Sequence, residues 1–166
     1  MKTNVTISEI TKDDLVDLFS TAFYANYRYG VYYEDLQGIE RDEEDCFEDL
    51  LAKIVLNGGR ICVEDQGSTD GAVYGNNPCK VEESEKYDGF VTTYYLTLDI
   101  IKRGLERAVN GTFNAGQGTG MGEDFVDNNL TSAIRSFYAF AYDCRDWDAL
   151  RADVLMQIIL FDEIVY

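Results

Sequence analysis

The chain has 166 residues, 46% of them hydrophobic, which suits one domain around one core and excludes a disordered acidic tail. Its 31 acidic and 14 basic residues leave a net charge of −17, which repels DNA, RNA and anionic membranes and attracts basic partners. Histidine is absent, so Ser-His-Asp and Cys-His nucleophile systems, histidine-bound zinc and histidine pH switching are excluded.

Along the chain, Thr3–Ile7 alternates, with Val5 and Ile7 on one side, and predicts a short strand. Thr11 followed by Asp14 is a capping-box start. The helix it opens carries Leu15, Leu18, Phe19, Ala22 and Phe23 on one face and frays near Asn26. The stretch from Tyr27 to Tyr33 is tyrosine-rich, contains Gly30, and reads as strand or loop.

Glu34 to Asp49 is the most unusual segment, since nine of its sixteen positions are carboxylates: Glu34, Asp35, Glu40, Asp42, Glu43, Glu44, Asp45, Glu48 and Asp49. Arg41 is its one base. Asp42 is expected to cap a helix whose first turn is Glu43-Glu44-Asp45, because carboxylates there meet the free N–H groups. Cys46, Phe47, Leu50, Leu51, Ile54 and Val55 form its apolar stripe, and Asn57-Gly58-Gly59 stops it. Two like-charge pairs, Glu44 with Glu48 and Asp45 with Asp49, stand four apart on the other face. Each costs about 0.2–0.5 kcal/mol in a helix, so removing them should be harmless or mildly stabilising. Asp49 and Lys53 form a small favourable pair.

Arg60–Asp65 reads as a strand with Ile61 and Val63 on one face, and the glycine-rich stretch up to Pro78 as a loop. Cys79–Glu83 and Gly89–Leu96 predict a hairpin around Ser84–Asp88. A helix starts near Thr97 or Asp99, buries Ile100, Ile101, Leu105 and Ala108, and stops at Asn110-Gly111. A glycine-rich loop follows, from Gly111 to Gly122. Val126, Leu130, Ala133, Ile134, Phe137 and Ala141 predict one more helix. Trp147, Leu150, Val154, Leu155, Ile158 and Ile159 predict the last, starting near Asp146, before a weak terminal strand from Phe161 to Tyr166. The expected fold is a single α+β domain over residues 1–166, about five helices on a small, mostly antiparallel sheet. Its expected core includes Phe19, Phe47, Leu51, Ile54, Leu105, Ile134, Phe137, Leu155 and Ile158.

No catalytic motif is present. The glycine loop lacks the lysine of a P-loop and runs into Glu123 and Asp124, which repel phosphate. Glu64–Gly71 has acids and glycines but not the register of a calcium loop. Paired carboxylates suitable for glycoside hydrolysis are not singled out by spacing. We therefore expect no enzyme activity, no cofactor and no metal. Cys46, Cys62, Cys79 and Cys144 form no C-x-x-C pair and suit reduced, mostly buried thiols of a cytoplasmic protein. No apolar run reaches transmembrane length, and the N-terminus carries no signal-peptide core.

The segments L-L-A-K-I-V-L-N-G-G-R-I-C-V-E-D, Y-Y-L-T-L-D-I-I-K-R-G-L and A-D-V-L-M-Q-I-I-L-F-D-E-I-V-Y resemble a group of uncharacterised small acidic proteins of phages and mobile elements. In charge and size the chain is also similar to DNA-mimic antirestriction proteins and some anti-CRISPR proteins. That likeness implies a non-enzymatic inhibitor of a basic, nucleic-acid-handling host protein, with no direct nucleic-acid or membrane binding. The expected contact residues are Tyr29, Tyr32, Tyr33 and the nine carboxylates of Glu34–Asp49, with tyrosine as anchor and carboxylates in the places of phosphates. The competing expectation is a phage structural or assembly protein that self-associates, as a homodimer for example, through tyrosines and apolar patches, its acidity providing only solubility. A small-ligand binder is the third.

Overall fold

The computed structural model describes residues 6–24, 29–36, 38–65, 80–86, 89–115 and 149–164. The fold is α+β. In chain order its elements are α1 (Lys12–Tyr24), β1 (Tyr29–Tyr32), α2 (Phe47–Leu56), β2 (Arg60–Asp65), β3 (Lys80–Lys86), β4 (Gly89–Thr97), α3 (Leu98–Asn110), β5 (Asn114–Ala115), α4 (Ala149–Phe161) and β6 (Glu163–Ile164). Four helices thus lie among the described residues. The helix expected over Val126–Ala141 falls outside them, as do Ile134 and Phe137 of the expected core, Cys79, Cys144, Val5 and the loop 116–122. Residues 6–10 are irregular, so the expected first strand does not reach Ile7, although Ile7 is buried.

Four strands form one antiparallel sheet in the order β1-β2-β4-β3. β3 and β4 form the expected hairpin, but β3 runs on through Ser84–Lys86, three residues expected in the turn, to the Lys86–Gly89 pair. Strand alternation places Ile61 and Val63 of β2 beside Tyr94 and Leu96 of β4, and all four are buried in the core. β5 and β6 pair in parallel as a separate two-stranded piece.

Local sequence explains the helix ends. Thr11 and Asp14 exchange the capping-box bonds that open α1: the Asp14 N–H donates to Thr11 Oγ1 at 3.2 Å, and the Thr11 N–H to Asp14 Oδ2 at 2.8 Å. Thr97 caps α3, its hydroxyl accepting from the Ile100 N–H at 3.4 Å. Gly111 ends that helix at φ 66°, and Gly58 follows α2 at φ 81°, both in the left-handed region that glycine tolerates.

α4 departs from the expected one-sided stripe. From Ala152 to Phe161 every side chain is buried, including Asp153 and Gln157, which are hydrogen-bonded at 2.8 Å. A helix apolar all round belongs inside a core. α4 accordingly contacts both α1 and α3, and its Phe161 ring meets Tyr94 of the sheet edge-on at 5.2 Å.

Candidate functional site

The acidic segment does not form the helix its charges suggest. Residues 42–45 make a turn, and α2 begins only at Phe47, with Cys46 as its cap. The reason is local competition for carboxylates. The Asp42 N–H donates to Asp45 Oδ2 at 2.8 Å, and the Asp45 N–H to the Asp42 carbonyl at 3.1 Å, which closes the turn. Four residues on, the pattern repeats: Asp49 Oδ2 accepts from the Cys46 N–H at 3.1 Å and from its thiol at 2.7 Å. The expected Asp42 cap is therefore replaced by a D-E-E-D turn followed by a C-F-E-D capping box that opens α2.

Two lysines bind these carboxylates. Lys53 Nζ is 2.7 Å from Asp42 Oδ2 and 2.6 Å from Asp45 Oδ2. Lys12 Nζ, from α1, is 2.6 Å from Asp49 Oδ1 and 3.8 Å from Asp45 Oδ1. The chain Asp42–Lys53–Asp45–Lys12–Asp49 joins α1, the acidic turn and α2. The hydrogen bond from Lys53 lowers the Asp45 carboxyl, and the bonds from Cys46 and then Lys12 bring that of Asp49 down to about 2. The hydrogen bond to Asp49 raises both Lys12 and the Cys46 thiol. Lys53 thus serves Asp42 and Asp45 rather than the expected Asp49.

The nine carboxylates consequently divide. Glu48 is buried, while Asp45 and Asp49 are held by lysines. Glu34, Asp35, Glu40, Asp42, Glu43 and Glu44 are exposed. Among the expected tyrosines, Tyr29 is buried against the core and does not lie on the surface, whereas Tyr32 is exposed and Tyr33 half-buried. Tyr32 pairs with Cys62 across the β1–β2 register, and burial followed by the Cys62 contact pushes its hydroxyl up to about 12. Cys62 is buried as expected, but Cys46 is exposed.

One aromatic side chain departs from the place its periodicity predicts, and another joins the surface. Phe47, expected in the core, is 37% exposed, and its ring lies 6.1 Å from that of Tyr33. It occupies the first position of α2, where the stripe has not yet turned inward. Tyr24 is 66% exposed at the end of α1, and a hydrogen bond to Glu48 raises its hydroxyl. The sequence signal for Phe47 is the D-x-x-D turn followed by a C-x-x-D capping box, which delays the helix start to Phe47.

Arg60 completes the surroundings. Its Nη2 is 3.1 Å from Glu34 Oε2, and its guanidinium carbon lies 3.7 Å from the centre of the Tyr95 ring. Among the described residues no group of histidine, cysteine, aspartate and glutamate is placed to hold a metal ion, and no helix is long and apolar enough to cross a membrane. Comparison with protein-family models, curated proteins and solved structures finds no match to any of them.

Proposed function

We propose that the chain is a non-enzymatic acidic inhibitor of the phage anti-defence kind, antirestriction or anti-CRISPR, acting on a basic, nucleic-acid-handling host protein in the cytoplasm. One observation carries this reading. Between β1 and α2 six carboxylates are exposed; Asp42 among them is paired with Lys53 and Glu34 with Arg60, while Glu40, Glu43 and Glu44 enter no described ion pair. The segment thus keeps a local excess of exposed negative charge. Fold stability alone does not require Glu40, Glu43 and Glu44 there, since no described ion pair uses them. Duplex DNA carries one charge per about 1.7 Å of axis, so a mimic needs several adjacent carboxylates, and this turn offers them. The likeness to small acidic phage proteins supplies the biological setting.

The test is capture from a bacterial lysate on immobilised protein, followed by elution with duplex DNA. Basic nucleic-acid-binding proteins should elute, and they should fail to bind a Glu40→Gln, Glu43→Gln, Glu44→Gln variant. Retention that neither DNA nor these substitutions affects would overturn the reading. The exposed Tyr24, Phe47 and Leu56 favour self-association as the second reading. Sedimentation as a monomer at micromolar concentration would exclude it.

A further inference from the structure

α3 and α4 end in the same way but not on the same residue. Each passes through the left-handed region before a two-residue strand, at Gly111 (φ 66°) after α3 and at Asp162 (φ 60°) after α4. Asp162 is the one described residue other than glycine with a positive φ. Glycine takes that conformation without steric cost, whereas a Cβ crowds the following carbonyl. Stability of the turn alone would therefore select glycine at both helix ends.

The aspartate has a partner that glycine would lack. Gly104 of α3 packs against Ile159 of α4, and three residues further along each helix Arg107 Nε lies 3.2 Å from Asp162 Oδ1. The two side chains are 31% and 38% exposed, so water screens the pair and it holds weakly. Asp162 Oδ1 is itself shielded yet accepts no aligned hydrogen bond, so its contact with Arg107 is one of charge. Beyond it, β6 is joined to β5 by two residue pairs, Asn114 with Glu163 and Ala115 with Ile164. Neither helix needs that pairing to close its own end. The Thr112 N–H donates to the Arg107 carbonyl and the Asp162 N–H to the Ile158 carbonyl, both at 3.0 Å.

We propose that the Arg107–Asp162 pair is an electrostatic latch and β6 the strap it holds. With the latch closed, charge attraction offsets the strain at Asp162 and seats β6 on β5. When salt screens the pair, Asp162 relaxes out of the left-handed region and β6 lifts away, while α3 and α4 stay folded. Opening bares the backbone edges of β5 and β6, the kind of edge on which another strand can add.

Amide hydrogen exchange of the whole protein, read at β5 and β6 relative to the β2–β4 pairs of the same sample, tests this. Wild-type β5 and β6 should exchange about fivefold faster at about 1 M salt than at low salt, the scale of one exposed ion pair. Arg107→Gln should give the fast exchange already at low salt. Asp162→Gly removes strain and pair together, so its strap should stay protected at both salt concentrations. Adding Asp162→Gly to Arg107→Gln should restore protection, a rescue that mere loss of packing at Arg107 would not show. Wild-type exchange independent of salt, unchanged exchange in Arg107→Gln, or failure of the rescue would each overturn the latch.

Discussion

Gly104 of α3 faces Ile159 of α4 so closely that a Cβ on the glycine would lie 2.5 Å from Ile159 Cγ1 and 2.6 Å from its Cα. The second distance involves backbone, which a side-chain rotation cannot relieve. The two helices cross at this point because residue 104 has no side chain.

Gly104→Ala therefore sets two effects against each other. Alanine favours a helix interior by about 0.8–1.0 kcal/mol over glycine. Overpacking a close crossing costs about 1–3 kcal/mol or more. We expect the clash to win, with a clear net loss of stability in denaturant melts. A variant as stable as wild type would show that the helices separate freely.

Phe47 and Leu51 occupy one helix but different environments. Leu51 is fully buried, so Leu51→Ala should cost about 2–5 kcal/mol. Phe47→Ala, at a 37% exposed ring, should cost about 1 kcal/mol or less rather than the large loss its place on the stripe suggests. Equal losses in urea melts would return Phe47 to the core.

The carboxylates of the acidic segment should separate into two classes. Glu40, Glu43 and Glu44 are exposed, and their replacement by glutamine should leave the melting temperature unchanged while slowing association with a basic partner. Asp45→Asn with Asp49→Asn removes the anions that hold Lys12 and Lys53, and this pair should lower the melting temperature. That reverses the expectation from like-charge spacing alone. Identical melting behaviour of the two variants would show that the lysine bridges contribute nothing.

Asp49 gives a pH dependence of known sign. Its carboxyl is held down at about 2 by Cys46 and then Lys12, below the unfolded value of about 3.9. A depressed carboxyl stabilises the fold fully above its unfolded pKa and loses that contribution as pH falls through the folded pKa. The stability gap between wild type and Asp49→Asn should thus be constant above about pH 5 and close between about pH 4 and 2. A gap that does not narrow on acidification would remove the hydrogen-bonded carboxylate from the account.

Much of the described fold was legible in local sequence because its signals act over a few residues. Thr11 with Asp14, Thr97 at the start of α3, Gly58 and Gly111 at helix ends, and Ile61 with Val63 in β2 all involve groups within one turn or one strand. The division of the acidic segment was not legible. Whether a carboxylate faces solvent or a lysine depends on Lys12, more than thirty positions away, and on how α1 lies against α2. The burial of α4 on all sides, the exposure of Tyr24 and the intolerance of a side chain at Gly104 have the same origin. Hydrophobic period and charge spacing record what each segment can bury or repel, and only the packing of one segment on another decides which faces meet.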